Sequence, residues 1–139
     1  MKVMAIDYGD AHTGVAVSDR TRTLCGYSTV VTAYRPEPLL ERLKALIAEH
    51  EVSELVLGHP INMDGSKGPR AEKAEAFAEL LRAETGLPVT LWDERRTTVE
   101  AHNILAAGGK RAKERKKTVD AVAASLMLEG YLARQKRMN

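Results

Sequence analysis

Three acidic positions stand where hydrolysis of a phosphodiester would need them. Asp7 directly follows the apolar run Val3-Met4-Ala5-Ile6, and Asp93-Glu94 follows the run Leu87-Pro88-Val89-Thr90-Leu91-Trp92. Asp120 opens the last helix-like stretch, Thr118-Val119-Asp120-Ala121-Val122. A short apolar run reads as a buried strand, and open α/β sheets carry their chemistry beyond the C-terminal strand ends. Mg²⁺ and Mn²⁺ are hard cations that prefer oxygen ligands. A pair held about 3.5–4 Å apart activates a water and stabilises the departing oxygen. Asp7, Glu94 and Asp120 are therefore the candidate catalytic residues and metal ligands. Asp7 is the expected bridging ligand, because a short side chain on a rigid central strand has least freedom. Asp120 falls in a first helical turn, where backbone N–H groups favour a carboxylate. Each has an ordinary alternative: a strand-end Asp caps turns, Asp93 and Glu94 suit a surface, and acidic residues are routine at helix starts. Their shared placement is what singles them out.

Polar and basic groups surround this trio in sequence. Arg95 and Arg96 follow Glu94, and the guanidinium fork suits phosphate. Thr97 and Glu100 match a helix capping box. Asn62, Lys67 and Arg70, expected to touch the substrate backbone, lie in and beyond the stretch Asn62-Met63-Asp64-Gly65-Ser66-Lys67-Gly68, read as a flexible loop above a strand end. Lys110, Arg111, Lys113, Arg115, Lys116 and Lys117 crowd one segment against a single Glu114. That segment reads as a mobile, phosphate-binding stretch able to close over nucleic acid. The turn Asp7-Tyr8-Gly9-Asp10 before Gly14 lacks the Gly-Lys-Ser/Thr ending of a P-loop. It is similar to the phosphate-facing hairpin of actin-like ATPases, with Thr13 as a candidate hydroxyl. The four histidines share no metal-ligand spacing.

The elements that position these groups follow from apolar periodicity. Strands are expected over 2–7, 15–18 and 26–31, joined by short polar links and hence antiparallel. Pro36 and Pro38 suit a helix start, and Leu39, Leu40, Leu43, Leu46 and Ile47 then form one stripe. A fourth strand is expected over 52–58. A second helix runs from Pro69, burying Ala74, Phe77, Ala78, Leu80 and Leu81, and stops at Gly86 and Pro88. A fifth strand covers 89–92, and a helix over 97–107 ends at Gly108-Gly109. The last helix, from about 118 to 134, is expected to bury Val119, Val122, Ala123, Leu126, Met127 and Tyr131. Strand–helix–strand crossovers demand parallel, right-handed connections. The expected fold is one α/β domain over 1–139: a mixed five-stranded sheet in the order βββαβαβαα, helices on both faces.

Composition narrows the function classes. The chain has 139 residues, 44% hydrophobic and 29% charged, as a folded domain does and a disordered one does not. One cysteine, Cys25, excludes an internal disulfide and a cysteine-built zinc site. No run approaches the roughly 20 apolar residues of a membrane span, and no signal peptide is visible. The expectation is a cytoplasmic protein without a membrane partner. A net charge of +2 identifies no partner by itself.

Four collinear motifs carry a family resemblance. Asp7-Tyr8-Gly9 with Gly14, Gly58-His59-Pro60 with Asn62-Met63-Asp64-Gly65, Asp93-Glu94-Arg95 with Thr97-Thr98, and Lys117-Thr118-Val119-Asp120-Ala121 together resemble the YqgF (RuvX) family over nearly the whole chain. The resemblance implies an RNase H-like fold related to the RuvC Holliday-junction resolvases. It implies a cytoplasmic endonuclease maturing the 5′ end of 16S ribosomal RNA with Mg²⁺ or Mn²⁺. The family's acidic positions fall on Asp7, Glu94 and Asp120, with Asp93 a neighbouring or alternative ligand. The family's usual Gly-Leu-Pro is Gly58-His59-Pro60 here, which sets a titratable group near the cleft. Resolvases of the superfamily commonly add a fourth acidic residue one turn into the last helix, where this chain has Ala123 and Ala124. RNA is the expected partner, with branched DNA the alternative, for a monomer or homodimer. A binding factor without turnover, acting in transcription, is the competing class.

Overall fold

Short polar links force neighbouring strands to fold back on one another. β1 (Lys2–Asp7), β2 (His12–Ser18) and β3 (Cys25–Thr32) do so as an antiparallel set. The computed structural model describes residues 2–22, 24–93 and 112–138, and in the last helix the side chains of 122–135. The expected 97–107 helix, and with it Thr97 and Glu100, lies outside the described residues. β2 begins at His12 rather than at the expected residue 15. Gly14 is a sheet residue, paired with Asp7 on one side and Val30 on the other, and the turn is confined to 8–11.

After β3 the chain enters α1 (Pro36–His50), then β4 (Val52–His59), α2 (Pro69–Thr85) and β5 (Val89–Asp93). Proline opens both helices at their first turn, where its missing N–H is no loss. α2 ends at Gly86, whose N–H donates to the Arg82 carbonyl at 3.0 Å and whose left-handed φ of 69° turns the chain out of the helix. β4 lies parallel to β1, and β5 parallel to β4, so the sheet order is β3-β2-β1-β4-β5. This is the mixed sheet and the RNase H-like α/β topology the sequence predicts.

Strand alternation sorts the core into two layers. Met4, Ile6, Val15, Val17, Leu55 and Leu57 face α1 and α2, which contribute Leu39, Leu40, Leu43, Leu46, Ala74, Phe77, Ala78 and Leu81. Val3, Ala5, Ala16, Val56 and Trp92 face the last helix, α3 (Ala112–Met138). The apolar stripe of α3 differs from expectation. Ala124, Leu128 and Leu132 join Ala123, Met127 and Tyr131 in the core, while Val122 and Leu126 are only half-buried. The indole of Trp92 sets this phase. It meets Tyr131 edge-on, and a Cβ at position 130 would stand 3.3 Å from its ring, so Gly130 lets the helix approach.

α3 also begins at Ala112 instead of about 118. Residues 112–117 contain neither Gly nor Pro and are good helix formers, so no stop signal lies within them. At 27 residues it is about 40 Å long, and outruns strands of about 26 Å or less.

Leu43, fully buried, lies midway along the α1 stripe. Leu43→Ala is expected to cost about 2–5 kcal/mol, read as a lower urea midpoint with an unchanged m-value.

Candidate active site

Because β1, β4 and β5 run parallel, their C-terminal ends share one edge of the sheet. Asp7, His59 and Asp93 end these strands, and all three stand at that edge. Alternation then divides them. Asp7 follows Val3 and Ala5 and so lies on the α3 face. Its antiparallel neighbour on that face is Gly14. The register Ile6↔Leu57 brings Gly58 alongside it on the parallel side. The half-buried Asp7 thus has a glycine on each flank. Asp120 lies one helical turn before Ala124, which packs with Ala5 and Ala16 in the α3-side core. α3 runs antiparallel to β1, since Tyr131 and Gln135 reach Glu54 near the start of β4. Position 120 therefore falls toward the Asp7 end of the sheet. The Asp120 side chain lies outside the described residues, as do Glu94, Arg95 and Arg96.

Asp93 shares the parity of Val89 and Leu91, which places it on the α1/α2 face, opposite Asp7. It lines a small cavity with Leu91, Trp92 and Arg134. Thr13 has the parity of Val15 and Val17 and is buried on the α1/α2 face, its hydroxyl accepting the Gly9 N–H at 3.4 Å. The hairpin's hydroxyl thus braces the turn. A Cβ on Gly9 would fall 2.2 Å from the His12 carbonyl oxygen, so only glycine closes this turn.

The α1/α2 side of the edge is a set of anchors. The Tyr8 ring stacks on Phe77, centroids 4.3 Å apart and planes 17° off parallel. Lys73 Nζ lies 3.3 Å from Asp10 Oδ1. His59 is buried and donates from Nε2 to Glu75 Oε2 at 2.7 Å, while Lys67 Nζ reaches the same oxygen at 3.1 Å. The Lys67 ammonium first, and the His59 hydrogen bond second, hold the Glu75 carboxyl below its ordinary value of 4.5. His59 and Lys67 therefore tie the loop after β4 to α2. Lys67 is committed to Glu75. Glu75 went unnoticed in the sequence because a glutamate on an amphipathic helix carries no local mark.

The 62–68 stretch, read from its glycines as flexible, is instead folded on itself. Asn62 N–H donates to Ser66 O and Gly65 N–H to Asn62 O, while Asn62 Nδ2 donates to Ser66 Oγ. Asp64 accepts from both the Ser66 amide and hydroxyl, and the hydroxyl bond leads in keeping its carboxyl below the usual range. Gly65 sits at φ 89°, open to solvent. Arg70 is exposed in the first turn of α2.

The basic cluster is divided in the same way. Lys113, Arg115, Lys116 and Lys117 belong to the helical backbone of α3 rather than to a mobile loop. Their side chains, with Lys110 and Arg111, lie outside the described residues. On a helix, positions 113, 117, 120 and 124 recur on one side. Among the described residues, no group of three His, Cys, Asp or Glu side chains is arranged to hold a metal. No described helix is long and apolar enough to cross a membrane.

Comparison with known proteins supplies the family context. A family model described as "RuvX: Holliday junction resolvase" matches residues 1–134. A Halothermothrix orenii protein named "Putative pre-16S rRNA nuclease" is 44% identical over 139 residues, covering 100% of this chain and 99% of its own. A Desulfitobacterium hafniense protein of the same name is 47% identical over 133 residues, covering 95% and 92%. Among solved structures, T. thermophilus RuvC in complex with a Holliday junction substrate superposes with a TM-score of 0.64 at 18% identity, over 98% and 96% of the two chains. That likeness is one of fold.

The Glu75 anchor predicts a pH dependence of stability. Its folded carboxyl titrates below 4.5, so its contribution is present above that value and lost as pH falls through the lower folded value. Glu75→Gln is expected to lower the thermal midpoint at neutral pH, and the difference from wild type to vanish in acid. Parallel melting curves across pH check this.

Proposed function

Since the chain belongs to the RuvX family, we propose that it is a metal-dependent endonuclease acting on RNA. Its relatives are named as pre-16S rRNA nucleases, and the task assigned to this chain is maturation of the 5′ end of that RNA. One observation carries the reading. Asp7 stands at the C-terminal sheet edge between Gly14 and Gly58, on the face covered by the helix that bears Asp120.

The donor chemistry fits a hard cation. Asp7, Glu94 and Asp120 offer only carboxylate oxygens, the ligands such an ion prefers. Mg²⁺ or Mn²⁺ held there would supply charge neutralisation and an activated water at the scissile phosphate. Asp7 is assigned the bridging role, because β1 is flanked on both sides and its end is the most constrained. Asp93 belongs to the other face, so the carboxylate that joins Asp7 is assigned to Glu94, the next residue. Lys113 and Lys117, on the helix side that carries Asp120, would neutralise substrate phosphates. Arg95, Arg96, Lys110, Arg111, Arg115 and Lys116 are assigned to the same backbone contacts. Asn62 and Lys67 hold the loop beside the site, and Arg70 stays available to a phosphate.

The resolvase reading is the weaker one. The helix positions where resolvases commonly carry a further carboxylate are Ala123 and Ala124, both buried against the sheet. Hydrolysis by a reduced carboxylate set on an RNA strand suits this site better than paired incision of a four-way junction.

A precursor RNA with the immature 5′ end is expected to be cut in Mn²⁺ or Mg²⁺ and left intact in EDTA. Asp7→Asn is expected to lower the rate by more than about 100-fold, beyond what loss of an outer partner of a metal ligand produces. Its circular dichroism and unfolding midpoint should match wild type. Full cleavage in EDTA, or by Asp7→Asn, contradicts the assignment. Cutting of four-way junctions in preference to RNA restores the resolvase reading, and salt-sensitive binding without any cleavage points to a binding factor.

A further inference from the structure

Among the described residues, three large apolar side chains stand exposed: Leu24, Tyr34 and Met63. Leu24 is in the β2–β3 turn, at the far end of the sheet. The other two, 79% and 84% exposed, are both at the edge where Asp7 ends β1. Thr32, the last residue of β3, pairs with His12, and the next amide, Ala33 N–H, donates to the Ala11 carbonyl just beyond β1. Tyr34 follows directly. It lies two strands to the side of Asp7, a lateral offset of about 10 Å. Met63 lies in the loop after β4, one strand to the other side. Exposed apolar groups scattered singly need no explanation, but these two bracket the catalytic end.

The mount under Tyr34 is rigid. Ala33 is pinned by its hydrogen bond on one side. On the other, Arg35 is extended at φ −131° and ψ 153°, as a residue before proline prefers, and Pro36 opens α1. Arg35 makes no helix-capping bond, is exposed, and has no ion-pair partner among the described residues. A tyrosine on a fixed backbone loses little entropy on binding, since only two torsions remain to be ordered. An aromatic face beside an unpaired guanidinium is the pairing that takes an unstacked base together with its phosphate.

Resting on the nuclease reading above, we propose that Tyr34 and Arg35 form a stacking platform for an unpaired nucleotide, with Met63 as a second apolar contact farther along the sheet edge. The substrate is then single-stranded where it crosses the sheet edge. A paired duplex keeps its bases stacked on one another and offers none to Tyr34.

The test is fluorescence anisotropy of a labelled single-stranded oligoribonucleotide, and of the same strand in a duplex, with the full-length protein in EDTA so that binding alone is read. Tyr34→Ala is expected to raise the Kd for the single strand about 5- to 100-fold. Tyr34→Trp should bind it like wild type, the duplex Kd should stay unchanged, and Met63→Ala should give a smaller loss for the single strand. Unaltered single-strand affinity in Tyr34→Ala overturns the proposal. So does an equal loss for both forms, or a change of oligomeric state in place of RNA affinity. Selective loss in a protein that cuts no RNA in Mn²⁺ would uphold the platform while removing the nuclease reading. Metal-dependent cleavage indifferent to Tyr34 would do the reverse.

Discussion

A parallel strand pair cannot be closed by a hairpin, and that restriction organises this molecule. To run alongside β1, β4 must be reached through α1, and β5 through α2. Both crossovers return to one face and fill it with leucine. Among the described residues, the opposite face is covered by α3. The C-terminal ends of three strands then coincide at one edge, and strand parity sends each terminal side chain to one layer or the other. Asp7 falls on the α3 face, while His59 and Asp93 fall on the α1/α2 face.

This parity separates support from chemistry. On the α1/α2 side several polar groups near the edge hold the loops. His59 and Lys67 share Glu75, Lys73 meets Asp10, Tyr8 stacks on Phe77, and Thr13 braces the Gly9 turn. On the α3 side Asp7 is flanked by glycines instead. Gly14 and Gly58 give up side-chain packing at two sheet positions, as glycine does where another group approaches the backbone closely.

The sheet was legible because its signals are local. Apolar runs, tight links and Pro-to-Gly helix limits place all five strands and the first two helices within a few residues. The errors have physical causes. Gly14 resembles a turn residue, yet it sits inside β2, paired with Asp7 and Val30. Residues 112–117 look like a charged loop, but they are strong helix formers with no stop signal. The stripe of α3 was misread by about one position, since Trp92 sets its rotation from across the core. That Asp7 and Asp93 end strands at one edge followed from the apolar runs alone, whereas the sidedness of Asp93 required the register. The Glu75 anchor is a contact between residues 16 positions apart, and nothing local announces it.

The account rests on a cation site at the C-terminal end of β1, on the α3 face. Paramagnetic broadening of backbone amide NMR signals by substoichiometric Mn²⁺ locates such a site directly, because the effect falls steeply with distance. The account predicts selective loss of the signals of Asp7, Tyr8, Gly14 and Gly58, and of residue 120, with those of Lys2, Arg20 and His50 at the opposite end preserved. Broadening centred on that opposite end, or spread evenly over the surface, would contradict it.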